Sequence, residues 1–184
     1  MKDTIHLPIA KRKSVLAFEK KVLNDNDIEK LFEAARWAPS SYNEQPWRFY
    51  YASRDDTESF SNLISCLAPP NKEWAQNASI IVISTAKKHL TLNGNKNTYA
   101  KHDTGLATAN LLIQAESMGL ASHPMGGFDR DKVRDVLNLS DDFIPVAAIA
   151  VGVYGNVDSL SEENLKRERM PRERKPLDEV AVKI

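Results

Sequence analysis

With a single cysteine, Cys66, in 184 residues, the chain has neither an internal disulfide framework nor a four-cysteine zinc site, and it fits a reducing compartment. Net charge is also missing. The 25 basic and 25 acidic residues cancel, whereas a dedicated nucleic-acid binder usually carries net basicity. No run of about 18 apolar residues occurs, so no membrane-spanning helix is expected. The opening MKDTIHLPIAKRK holds no apolar core of export-signal length. No glycine-rich dinucleotide fingerprint follows a strand-like segment, which argues against a Rossmann dehydrogenase. The expectation is a cytoplasmic protein without membrane or nucleic-acid partners. Residues 1–184 read as one domain, long enough to bury roughly two-thirds of the unfolded surface.

Helical and strand-like stretches alternate along the chain. Ile28, Leu31, Phe32 and Ala35 fall at helical spacing behind the capping cluster NDND, so a helix is predicted to reach about Trp37 and stop before Pro39. The aromatic WRFYYAS (47–53) and the apolar, β-branched SIIVIST (79–85) read as strands. Helices are predicted over 57–67 and 72–76, and the polar, Asn-Gly-containing 86–97 reads as a surface loop. The longest helix candidate, 99–118, ends at Gly119 and is apolar nearly all round from Leu106 to Ala115, as in a helix buried centrally or against a second subunit. A short extended stretch, a helix over 129–137 and the strand FIPVAAIAVGVYG complete the pattern. Without regular βαβ spacing, this order favours an α+β fold with a mainly antiparallel central sheet flanked by helices.

Four segments carry chemistry, and each has a plain alternative. KRKSVLAF sets Arg12, Lys13 and Ser14 ahead of an apolar run, as in a phosphate cradle or a solvated basic patch. SSYNEQPW (40–47) follows Pro39 with two hydroxyls and the amides of Asn43 and Gln45, suited to a flat heterocycle or to a polar turn. HPMGGFD (123–129) puts Gly126 and Gly127 where bare backbone can approach a ligand, or where the chain turns tightly. KRERMPRERKPLDEV (166–180) concentrates six cations against Glu168 and Glu173. Such a run is an exposed tail or, alternatively, a nucleic-acid contact.

Taken in order, Arg-x-Ser, APSSYNEQPWRFY, PMGGFD and RERKPLDEV resemble the nitroreductase family of flavin enzymes over nearly the whole chain. The resemblance implies a homodimer that holds FMN without covalent linkage in sites built across the two subunits. Arg12 and Ser14, with Lys13 between them, match the amino-terminal phosphate contacts, and Arg172 and Arg174 match the basic pair of a carboxyl-terminal tail (about 156–184). Pro39, Ser40, Ser41 and Asn43 match the loop that reaches the neighbouring subunit's flavin. Pro124, Met125, Gly126 and Gly127 match the segment along the ring, where a backbone N–H faces the nitrogen that accepts hydride. Asn71 matches an amide at the ring's polar edge. It reads equally as the cap of a helix beginning at Lys72.

The function so implied is hydride transfer from NADH or NADPH to an oxidised acceptor, a nitroaromatic or quinone, by a ping-pong mechanism. The cofactor carries the chemistry, so no catalytic acid, base or metal is assigned. His123 stands next to the glycine turn and could in principle donate a proton, since an imidazole titrates in the useful range, but a lone histidine there is more often structural. One departure matters. Where many relatives carry a second cation, this chain has Leu16, so either Lys13 or another cation substitutes or flavin reduction is harder. A flavin-binding carrier or sensor is the alternative function.

Overall fold

The computed structural model describes residues 5–184. Its sheet has four strands, β1 (Trp47–Ser53), β2 (Ile80–Lys87), β3 (Ala121–Met125) and β4 (Phe143–Gly152), in the order β1-β2-β4-β3. Every neighbouring pair is antiparallel, in agreement with the predicted α+β class.

Side chains alternate across a strand with period two, and here both faces are covered. Ile81 and Ile83 of β2, with Ala148 and Ala150 of β4, join Phe60, Leu63, Trp74 and Val133 in one buried cluster. Their neighbours Ile80, Val82, Ile149 and Val151 join Ile28, Leu31, Ala107 and Leu111 in another. The first layer is built by α3 (Thr57–Ser65), α4 (Pro69–Ala75) and α6 (Arg130–Val136), and the second by α2 (Asp25–Arg36) and α5 (Ala100–Ser117). This double cover is why both central strands read as unbroken apolar runs.

Local chemistry sets the helix starts. Asn24 caps α2 by accepting the Asp27 N–H at 2.8 Å. In α4, Pro69 and Pro70 occupy the first turn, where a missing N–H costs nothing. The helix therefore starts three residues before the expected Lys72. Asn71 lies inside it, so the capping reading of that residue is corrected: Ala68, just before the helix, holds the cap position. Helix α5 buries Asp103, Ala107, Leu111 and Ala115 along one face, yet Ala109 is exposed and Leu106 and Ile113 are half-buried. One chain does not enclose it.

Short helices α1 (Leu7–Lys11), α7 (Glu162–Arg169) and α8 (Leu177–Val180) flank this body. Among the described residues no helix is long and apolar enough to cross a membrane. The strand directions gather three loops at one end of the sheet. Trp47 opens β1 opposite Ala86, Lys87 closes β2 opposite Phe143, and β3 ends at Met125 opposite Ala148. Loops 39–46, 88–97 and 126–129 emerge there.

Candidate functional site

The segment from Arg12 to Phe18 runs extended beside β3, bridging Ser14 to Ser122, and period-two alternation sorts its residues. Arg12 and Ser14 line a cavity of about 240 Å³ shared with Pro124 and with Ala109, Leu112 and Ile113 of α5. Lys13 and Val15 line a different one. Arg172 reaches back across the chain and donates both terminal nitrogens to the carbonyls of Ala10 and Arg12. The Arg12 guanidinium is pushed below its ordinary pKa by burial and then by the positive charges of Arg172 and Arg174, with Glu116 acting the other way. Arg12 and Ser14 thus share one cavity wall, with Arg172 held at the Arg12 backbone and the charge of Arg174 felt there, a charge-rich cradle suited to a phosphate dianion.

Lys13 is not brought into that cradle. Its ammonium lies 2.7 Å from Glu168 Oε1. The same carboxylate accepts the Leu16 N–H at 2.5 Å and the Tyr154 hydroxyl at 2.8 Å, and its side chain is 2% exposed. Burial alone would raise the Glu168 pKa. The hydrogen bonds from Lys13, Leu16 and Tyr154 outweigh burial and hold it below the ordinary value. Leu16 itself is in the core, and the Lys13 ammonium is engaged with Glu168. The basic tail is also more than a solvated run, because Glu168 fastens α7 to the amino-terminal segment.

Gly126 and Gly127 follow β3 directly. Neither N–H donates a hydrogen bond among the described residues. A Cβ built on Gly126 meets nothing within 4 Å, and its φ is not positive. Nothing in the chain itself therefore demands glycine there, and the backbone stays open to close approach from outside. Gly127 is more confined: a Cβ would come 2.9 Å from Asn71 Nδ2, which donates to the Gly127 carbonyl at 3.0 Å. Asn71 and the glycine turn are thus held together, with Met125 buried beneath them and Pro124 on the cavity wall.

His123 lies on the other side of this strand. Its ring packs 4.5 Å from that of Trp74, and Nδ1–H donates to the Val15 carbonyl at 2.7 Å. Burial, the largest influence, pushes its pKa down, so it is a neutral, structural imidazole at pH 7.

The loop carrying Pro39, Ser40, Ser41 and Asn43 departs most from regular backbone. Tyr42, Asn43 and Gln45 have φ of 54°, 53° and 49°, a left-handed region costly for residues with a Cβ. Strain of this kind persists where the surroundings over-determine it. Here Asp103 of α5, its side chain 4% exposed, accepts the Ser41 N–H at 2.9 Å, and Ser40 Oγ accepts the Gln45 N–H at 3.0 Å. Tyr42 is left 89% exposed. Along α5, Asp103 stands six to ten residues from Ala109 and Ile113, about 9–15 Å at 1.5 Å per residue. Within one chain, this loop and the arginine cradle occupy different stretches of the same helix.

The family model described as "Nitroreductase family" matches residues 9–153. The chain belongs to the nitroreductase family. A crystal structure described as an oxidoreductase containing FMN superposes with a TM-score of 0.91 at 31% identity, over 96% of this chain and 90% of that one. A nitroreductase family protein from Streptococcus pneumoniae shares the fold, with a TM-score of 0.78, 23% identity and coverage of 97% and 98%. The oxygen-insensitive NADPH nitroreductase of Helicobacter acinonychis is 26% identical over 162 residues, 69% of this chain and 76% of that protein.

Sequence reasoning missed two carboxylates of this nitroreductase. Glu168 reads as one opposing charge in a basic run, and only the 155-residue contact with Lys13 reveals it. Asp103 had a usable signal, since it shares the four-residue spacing of the buried Ala107 and Leu111. A carboxylate on a buried helical face needs a partner, and the strained loop supplies one.

Proposed function

We propose that this nitroreductase is an FMN-dependent oxidoreductase that passes hydride from NADH or NADPH to a nitroaromatic or quinone by a ping-pong cycle. The observation that carries the reading is Arg172 reaching from the far end of the chain to the backbone of Ala10 and Arg12, with Ser14 sharing the Arg12 cavity and the charge of Arg174 felt at Arg12. Those four residues would hold the phosphate through charge-assisted hydrogen bonds. Pro124, Met125, Gly126 and Gly127 would bed the ring, and the unpaired glycine N–H groups are preorganised donors for charge that develops there. Asn71, tethered to Gly127, would meet the ring's polar edge.

Bound FMN supplies the two-electron relay between the nicotinamide and the acceptor. The chain's part is to bind, orient and donate hydrogen bonds, and no side chain is assigned a proton transfer. Separation of the arginine cradle and the Pro39–Asn43 loop along α5, together with the open face of that helix, supports a homodimer in which Pro39, Ser40, Ser41 and Asn43 serve the partner's flavin.

A second reading, a flavin carrier or sensor without turnover, is favoured by one observation: the position of the second cation is held by Leu16, 3% exposed, and Lys13 is engaged with Glu168. A cation there would favour anionic reduced flavin. Steady-state oxidation of NADPH and NADH with a quinone acceptor separates the two readings. Parallel double-reciprocal lines support the ping-pong enzyme. A protein that is reduced once and does not turn over is the carrier.

A further inference from the structure

At the end of the sheet where the loops gather, a cavity of about 470 Å³ lies between the 88–97 loop and the start of α5. Its walls include Lys88, Lys96 and Lys101. None of the three is in an ion pair among the described residues. Of the nearby acids, Asp142 is engaged with His89 at 2.5 Å, and Asp103 is turned to Ser41 and His102.

The frame around the cavity is fixed. The Asn97 N–H donates to the Lys88 carbonyl and the Lys88 N–H to the Asp142 carbonyl, each at 2.7 Å, and His89 bridges to Lys96. Asn97 also lines the cavity and is 7% exposed. Its Oδ1 accepts the Tyr99 N–H at 3.1 Å, while its Nδ2 has no hydrogen-bond partner among the described residues. The first-turn N–H groups of Lys101 and His102 donate to nothing among the described residues, and α5 is 18 residues long. Three unpaired cations and Asn97, whose buried amide donor is orphaned, thus line one space beside the first turn of a long helix, which suits an anion with several acceptor oxygens.

The same frame is tied to the strained loop assigned to the flavin. Glu44 accepts the Thr91 N–H at 2.8 Å and the Thr91 hydroxyl at 2.6 Å, and Asp103, two residues past Lys101, holds Ser41. We propose that the cavity bounded by Lys88, Lys96, Asn97 and Lys101 is a phosphate subsite that anchors the nicotinamide cosubstrate while its ring lies on the flavin served by that loop. The inference rests on the NAD(P)H reading above. Two groups of the cosubstrate carry this chemistry, the pyrophosphate common to NADH and NADPH and the 2′-phosphate of NADPH alone.

Calorimetric titration of the FMN-loaded protein with inorganic pyrophosphate tests the site directly. The wild type should bind, and Lys96→Ala and Lys101→Ala, both exposed changes, should each weaken binding by roughly threefold to tenfold, with the double variant weaker still. No binding by the wild type, or equal affinity in the double variant, overturns the proposal. Kinetics then assign the phosphate. A rise in KM for NADPH alone at unchanged kcat identifies the 2′-phosphate, an equal rise for both nucleotides identifies the pyrophosphate, and unchanged KM for both overturns the cosubstrate role. If neither nucleotide reduces the wild-type protein, the NAD(P)H reading and the cosubstrate role fall together, and the pyrophosphate titration alone decides whether the cavity is an anion site.

Discussion

Lys13 and Glu168, 155 positions apart in sequence, meet at 2.7 Å. The contact joins the amino-terminal segment to the tail helix between the two halves of the proposed phosphate cradle. Replacing Glu168 by alanine leaves the Leu16 N–H without its partner and should cost about 1–3 kcal/mol of stability. It should also weaken FMN binding by loosening both arms. Glu168 is held below its ordinary pKa of about 4.5, so its contribution is full above that value and is lost as pH falls below it. Acid unfolding followed by circular dichroism should show this component in the wild type and not in Glu168→Gln.

The tail arginines can be separated from that fastening. A chain ending after Met170 keeps Glu168 and loses Arg172 and Arg174. Each charge-assisted contact is worth ~1.5–3 kcal/mol, so losing two should lower FMN affinity by roughly a hundred-fold to ten-thousand-fold. Equal affinity in the truncated, folded protein, read by fluorescence titration, would show that the tail is only solvated.

Gly126 gives the sharpest distinction between fold and function. Since a Cβ there meets nothing within 4 Å, Gly126→Ala should leave the folding free energy nearly unchanged, within about 0.5 kcal/mol. Flavin affinity should nevertheless drop roughly tenfold or more if the proposed ring site is right, because the added methyl would fill space the ligand would occupy. Gly127→Ala should also displace the Asn71 amide 2.9 Å away and lower stability.

The shared-site arrangement predicts a redistribution. If Arg12 of one subunit and Asn43 of the other serve the same flavin, Arg12→Ala and Asn43→Ala should each impair both sites of their own homodimer. In a mixed dimer, two-fold symmetry puts both defects in one site and none in the other. Isolated by two affinity tags, the mixed species should recover up to half the wild-type flavin content. A value no better than the average of the two parents would place both residues in one chain's site.

How much of this was legible beforehand depended on the range of the interaction. The buried strands and α5 follow from local apolar patterning, and the start of α2 from Asn24, because near neighbours decide them. The start of α4 was misplaced since two prolines, which usually interrupt helices, here begin one. Arg12, Ser14, Arg172 and Arg174 were nameable as motifs, but not their separation from Lys13, which needs the extended backbone that alternates their side chains. The pairing of Glu168 with Lys13 and of Asp103 with Ser41 was illegible because each spans a long stretch of chain. The same holds for the left-handed Tyr42, Asn43 and Gln45, whose strain is imposed by contacts outside the loop.

The most direct test of the account is the visible spectrum of the purified protein, before and after anaerobic addition of NADPH. A yellow protein that releases FMN on heating and loses its flavin absorbance on reduction is the predicted result. A colourless protein that also fails to take up added FMN would contradict it.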